Sequence, residues 1–140
     1  MESLSIRGKA VELMIDDDPA RVIRFFPTDV EFAEGYFSLC AEFDKARADI
    51  AAKEAELEGS GLGEIELAAR RVDLTKEAFD ILRRGIDKTF GPGTAHTVFG
   101  DRNNLTMAAR FFRGVTPYIR RAREAELARY TEDTSSGVLK

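Results

Sequence analysis

The chain has 140 residues and 15.6 kDa, the size of one domain, and 44% of its residues are hydrophobic, enough for a globular core. A net charge of −4 and a pI near 5.2 argue against a general nucleic-acid binder, which is normally basic. One cysteine, Cys40, excludes an intramolecular disulfide and suits a reducing compartment.

No apolar run approaches the roughly 20 residues needed to span a bilayer, so no membrane partner is expected. The opening Met1-Glu2-Ser3-Leu4-Ser5 has neither the basic region nor the apolar stretch of a secretory signal. The expected location is therefore the cytoplasm. Charged residues reach 33%, above the usual quarter, which suits long helices with two exposed faces.

In chain order, residues 4–15 alternate in their second half, with Val11, Leu13 and Ile15 on one side and Glu12 and Met14 on the other. This is the pattern of a half-buried strand. Asp16-Asp17-Asp18-Pro19 has turn composition, and Val22, Ile23, Phe25 and Phe26 form a second β-rich run. Residues 4–26 are thus predicted to form a β-hairpin with a loop of roughly four or five residues. A lone hairpin is marginal in water, so it must pack on a helix or gain strands from a partner.

Pro27 ends the second strand, and Thr28 followed three residues later by Glu31 predicts a capping box. A long helix follows to about Leu57, with an apolar line of Phe32, Tyr36, Leu39, Phe43, Ala46, Ile50 and Leu57. Its steps, mostly of three and four, make a seam for a facing helix. The far end, Ala51–Glu56, is polar and alanine-rich and is expected to project. Gly59, Gly61 and Gly63 break the helix. A second helix is predicted from about Glu64 to Thr89 with the seam Ile65, Ala68, Val72, Phe79, Leu82 and Ile86. The pair over 28–89 should fold back antiparallel, its loop end standing out as an arm.

Phe90-Gly91-Pro92-Gly93 terminates the second helix, and Thr94–Phe99 predicts one short helical turn ended by Gly100. Asn103 or Asn104 caps a third helix, Leu105–Phe112. Gly114 loosens it, and Thr116-Pro117 restarts a last helix that runs to about Tyr130. The organisation expected is a single domain over 1–130, with C-terminal helices over 94–130 and a flexible tail over 131–140. The fold class is α+β and mainly α: an N-terminal β-hairpin, a long antiparallel helical hairpin, and two or three shorter helices.

Candidate chemistry is sparse. Consecutive aspartates at 16–18 do not match the alternating spacing of a calcium loop and read as a solvated turn. His96, the single histidine, has no serine or cysteine near it in sequence, though Asp101 could orient it. Cys40 sits mid-helix as a small apolar group. Gly91-x-Gly93 follows a helix and lacks the third glycine and the lysine of a phosphate loop. No catalytic set, cofactor or metal site is expected. The segment 101–140 holds eight Lys/Arg against five Asp/Glu, which suits a solvated helix face or a surface for an acidic partner better than a nucleic-acid module. Adjacent Phe111 and Phe112 point about 100° apart on a helix, so one of them is a candidate for an interface, where aromatics are enriched. The residues singled out for partner contact are Phe111, Phe112, Tyr118, Arg120 and Arg121.

Several short motifs carry a resemblance. Ile6-x-Gly8-Lys9-x-Val11-x-Leu13 resembles the strand that opens many small siphophage and prophage tail-module proteins. Phe26-Pro27-Thr28-Asp29 with Glu31 and Tyr36 resembles the start of their long helix. Phe90-Gly91-x-Gly93-Thr94 with Val98-Phe99-Gly100 resembles their central motif, and Phe111-Phe112 with Thr116-Pro117-Tyr118-Ile119 their C-terminal helices. The likeness covers most of residues 4–130; the Gly59–Gly63 loop and the arginine content depart from it. The resemblance implies a non-enzymatic tail assembly chaperone that binds the tape measure protein or other tail proteins in the cytoplasm of a bacterial host. The alternatives are a self-assembling structural tail or head–tail connector component, possible as a homo-oligomer, and a nucleic-acid or host-protein binder using the arginine-rich C-terminal helices.

Overall fold

The computed structural model describes residues 1–6 and 8–135, with side chains as far as Arg129. Among these residues the elements are β1 (Val11–Ile15), β2 (Asp18–Phe25), α1 (Val30–Glu58), α2 (Glu64–Phe90), α3 (Thr94–Phe99) and α4 (Leu105–Ser135). The architecture is the expected one: a two-stranded antiparallel hairpin set on a helical hairpin, with further helices behind.

The alternation in β1 works as its pattern requires. Val11, Leu13 and Ile15 are half-buried, Glu12 and Met14 exposed, and across the ladder Ile23 and Phe25 are buried. The strand starts at Val11, not near residue 4. The turn is also tighter than the four or five residues expected. Asp16 and Asp17 alone make it, both at positive φ (52° and 57°), a conformation that aspartate tolerates and that matches strand twist. Pairing is regular from Val11↔Phe25 to Met14↔Val22, then slips so that Ile15 faces Asp18. Pro19 falls in the slipped stretch, where a residue without an N–H breaks no ladder bond.

α1 is capped by Asp29, whose carboxylate accepts from the Glu31 N–H at 3.2 Å. The cap is therefore one residue later than Thr28, and with Phe32 three residues after Asp29 the expected capping box does not form. α1 and α2 pack antiparallel, and Leu39 of α1 packs tightly on α2 at Gly85: a Cβ at Gly85 would lie 2.6 Å from Leu39 Cδ1. The seam of α2 is buried only in its second half, at Phe79, Leu82 and Ile86. Ile65 is 87% exposed and Val72 65% exposed, and Ala68 is exposed too. Past Ile50 on α1 and before Phe79 on α2 no side chain is buried, because each helix there has only the other to pack on. This is the projecting arm.

α4 corrects the expected break at Gly114. It runs unbroken from Leu105 to Ser135 with Pro117 inside. An internal proline costs a helix about 3 kcal/mol. Two things hold this one in line: Val115 and Ile119 are buried on either side, and Tyr36 reaches across from α1. The Tyr36 hydroxyl lies 3.0 Å from the Phe112 carbonyl and 2.7 Å from Thr116 Oγ1, which itself donates to that carbonyl at 2.7 Å. α4 also continues five residues into the segment expected as a tail; residues 136–140 lie outside the described residues.

The core is aromatic. Phe90 is its hub, with ring centroids 5.6 Å from Phe25, 5.1 Å from Phe32, 6.0 Å from Tyr36 and 5.5 Å from Phe111. Phe112 packs on Phe43 at 5.1 Å. Phe111 and Phe112 are each only 7% exposed. The expectation of them as partner contacts is therefore narrowed: both rings are mainly core, one on each side of the α4 stripe, and each meets the surface only as part of the floor of a depression.

Candidate protein-binding surfaces

The composition of α4 and its lead-in defines the surface. Residues 102–123 contain six arginines and no aspartate or glutamate. Arg121 is held locally, its Nε donating to the Pro117 carbonyl at 3.3 Å and its guanidinium 5.1 Å over the Tyr118 ring. Among the described residues, Arg102, Arg110, Arg113 and Arg120 have no carboxylate partner in the chain.

These arginines border two depressions on opposite sides of α4. The larger, about 950 Å³, lies between the β-hairpin, the α3–α4 loop and α4. Leu13, Met107, Phe111 and Val115 floor it, and Arg102, Arg110 and Tyr118 rim it. Two carboxylates also line it. Asp16 is paired with Arg21 at 3.4 Å, whereas Asp101 has, among the described residues, a loose 3.8 Å approach to His96 as its one ion pair. The smaller depression, about 410 Å³, is a cleft between α1 and α4. Phe43, Cys40 and Phe112 floor it, and Arg113 and Arg120 rim it from α4. On the α1 side Asp44 is bonded to Arg47 at 2.8 Å, and Arg47 stacks over Phe43 at 5.0 Å. The cleft therefore keeps a positive excess from α4. Of the sequence-predicted residues, Arg120 lies on this cleft, Tyr118 on the other groove, and Arg121 is exposed beside Tyr118.

Two arginines that the sequence did not single out hold the larger groove in shape. Arg21 donates from Nε to the Thr97 carbonyl at 2.9 Å and from Nη2 to the Val98 carbonyl at 2.6 Å, tying the hairpin to α3. Arg83 on α2 donates to the Gly100 and Arg102 carbonyls at 2.8 and 2.7 Å and to Asn103 Oδ1 at 2.8 Å. That leaves Asn104 as the α4 cap, accepting from the Thr106 N–H at 2.8 Å. No local pattern marks either arginine as a brace, because the carbonyls they hold are distant in sequence; the one near partner, Asp16 on Arg21, lies within the hairpin itself.

The groups weighed for chemistry are dispersed. The His96 side chain is 71% exposed, and Asp18 turns back to accept from the Ala20 N–H. Burial pushes the Cys40 thiol up, against a Tyr36 hydrogen bond that pulls it down, so it stays a protonated and poor nucleophile. Burial likewise pushes the Tyr36 phenol well above its ordinary 10.0. Among the described residues no helix is long and apolar enough to cross a membrane.

Residues 23–136 match DUF6673, a family of unknown function, and the chain belongs to that family. Comparison with curated proteins and with solved structures found no match.

Proposed function

We propose that this member of the family works by binding other proteins rather than by catalysis, as an assembly helper for a phage or prophage tail that engages the tape measure protein in the bacterial cytoplasm. The observation that carries this is the α1–α4 cleft. Its apolar floor and the unanswered Arg113 and Arg120 suit an amphipathic helix with carboxylates along one edge. A tape measure protein is very long and helical, and can supply such a segment. The resemblance of the Phe90–Thr94 and Phe111–Ile119 motifs to tail-module proteins supports the same reading. Arg121 and Tyr118 extend the contact from the exposed side of α4, and Phe112 contributes from beneath as the cleft floor.

A self-assembling structural tail component is the second reading. Among the described residues the sheet has two strands, and such an edge can pair with another copy.

The test is co-purification of the tape measure protein from the same phage or prophage, followed by calorimetric titration of its helical segments. Arg113→Glu with Arg120→Glu should weaken binding at least about tenfold, since each exchanges an attraction for a repulsion at a cleft rim. Circular dichroism should be unchanged, because both side chains are exposed. Wild-type protein that binds no segment of that tape measure contradicts the proposal. Strongly salt-dependent DNA binding in its place would assign the arginines to nucleic acid.

A further inference from the structure

We propose that the chain associates head to tail, the glutamate-rich tip of one copy's helical arm seating in the groove between the β-hairpin and α4 of the next. The tip, residues 54–66, contains five glutamates and no lysine or arginine. Arg71 holds Glu58 at 3.1 Å, and Glu54, Glu56, Glu64 and Glu66 have no ion pair among the described residues. Between Glu64 and Glu66 stands Ile65, 87% exposed. An apolar side chain is thus presented to solvent with a carboxylate on either side.

The groove has the inverse pattern. Its floor is apolar, and Arg102 and Arg110 stand on its rim with no carboxylate partner among the described residues. Of the two acids lining it, Asp16 is already neutralised by Arg21, leaving Asp101 against the two arginines. Ile65 on the floor with Glu64 and Glu66 facing Arg102 and Arg110 would cover exposed apolar surface and answer unpaired charge in one contact.

A chain cannot satisfy this pattern by itself. Arg83 on α2 binds the Arg102 carbonyl, so the groove rim lies beside residue 83. Ile65 stands 18 residues earlier on the same unbroken helix, about 27 Å away at ~1.5 Å per residue. Complementary patches fixed at such a distance can meet only between copies. Because the two patches differ, the contact closes at two copies where each arm reaches the other's groove about a two-fold axis, and otherwise closes into a larger ring or continues as a filament. This holds whichever partner the α1–α4 cleft takes.

The experiment is light scattering after size exclusion on the full chain, over a range of concentrations. At about 50 mM salt the mass should rise above that of the monomer with concentration, and at about 0.5 M salt it should return to the monomer. Glu64→Arg with Glu66→Arg, and separately Arg102→Glu with Arg110→Glu, should each weaken association at least about tenfold. An equimolar mixture of the two variants should restore it, since each then offers the other a complementary patch. The tip variant alters only exposed side chains, so it carries the test even if the groove variant folds poorly. A monomer at every concentration in low salt overturns the proposal. So does an assembly whose mass is indifferent to salt and to the tip reversal.

Discussion

Tyr36→Phe removes one hydroxyl from the centre of the core, and its consequences can be worked out at two pH values. In the native protein the hydroxyl bonds to the Phe112 carbonyl and to Thr116 Oγ1, pinning α1 against α4 one turn before Pro117. After the substitution Thr116 still donates to the same carbonyl, so no buried acceptor is orphaned. The loss is then that of one net hydrogen bond, about 1 kcal/mol, or about 3–5 °C in Tm for a domain of this size. Alkaline pH adds a second effect. The unfolded chain releases the phenol proton near 10.0, while burial raises the folded phenol well above that. Above pH 10 the folded state therefore holds a proton that the unfolded state has lost, and wild-type stability falls by about 1.4 kcal/mol per pH unit from this group. The contribution is intact below the unfolded pKa and is lost as pH rises toward the folded one. The phenylalanine variant has no such slope, so the tyrosine's advantage of about 1 kcal/mol should vanish within about one unit above pH 10. Urea unfolding of both proteins from about pH 7 to about pH 11 measures this directly. Parallel stability profiles, or equal stability at neutral pH, would refute the buried, hydrogen-bonded hydroxyl.

Other positions give equally definite expectations. Asp29→Ala should cost about 1 kcal/mol by removing the α1 cap, while Thr28→Ala should change little, a contrast that thermal unfolding reads at once. Gly85→Ala gains about 1 kcal/mol of helix propensity. It also drives a methyl to 2.6 Å from Leu39 Cδ1 in the core, and overpacking of that kind costs about 1–3 kcal/mol. The net should be neutral to destabilising by about 2 kcal/mol, and a crystal structure should show Leu39 in a new rotamer. At Gly35 the nearest atom to an added Cβ is Thr89 Oγ1 at 3.4 Å. There the same substitution should be neutral or stabilise by up to about 1 kcal/mol in the same urea assay.

The local rules that succeeded were those whose cause lies within a few residues. Alternation set the inward face of β1, and glycine with proline at 91–93 ended α2 and opened α3. The failures had distant causes. Gly114 and Pro117 read as a helix break because nothing nearby shows that Tyr36, far back on α1, braces the Phe112 carbonyl. Ile65 and Val72 keep the spacing of a seam, yet no third layer reaches the arm to cover them. Phe111 and Phe112 looked divided between core and interface because a single helix cannot bury both on one neighbour. The structure supplies two, with Phe90 and Phe99 around one ring and Phe43 and Tyr36 around the other. The surface was legible in part. Arg120, Arg121 and Tyr118 are exposed or border a groove, but Arg21 and Arg83, which shape it, act on carbonyls over seventy and about twenty residues away.

Amide hydrogen exchange, on the protein alone and with tape measure segments added, tests the central claim most directly. Binding at the α1–α4 cleft should slow exchange in α1 around residues 40–47 and in α4 around residues 109–120, with the arm tip at 54–66 unaffected by the segment. Protection confined to the hairpin or the arm tip, or none at all with the segment in excess, would contradict the account.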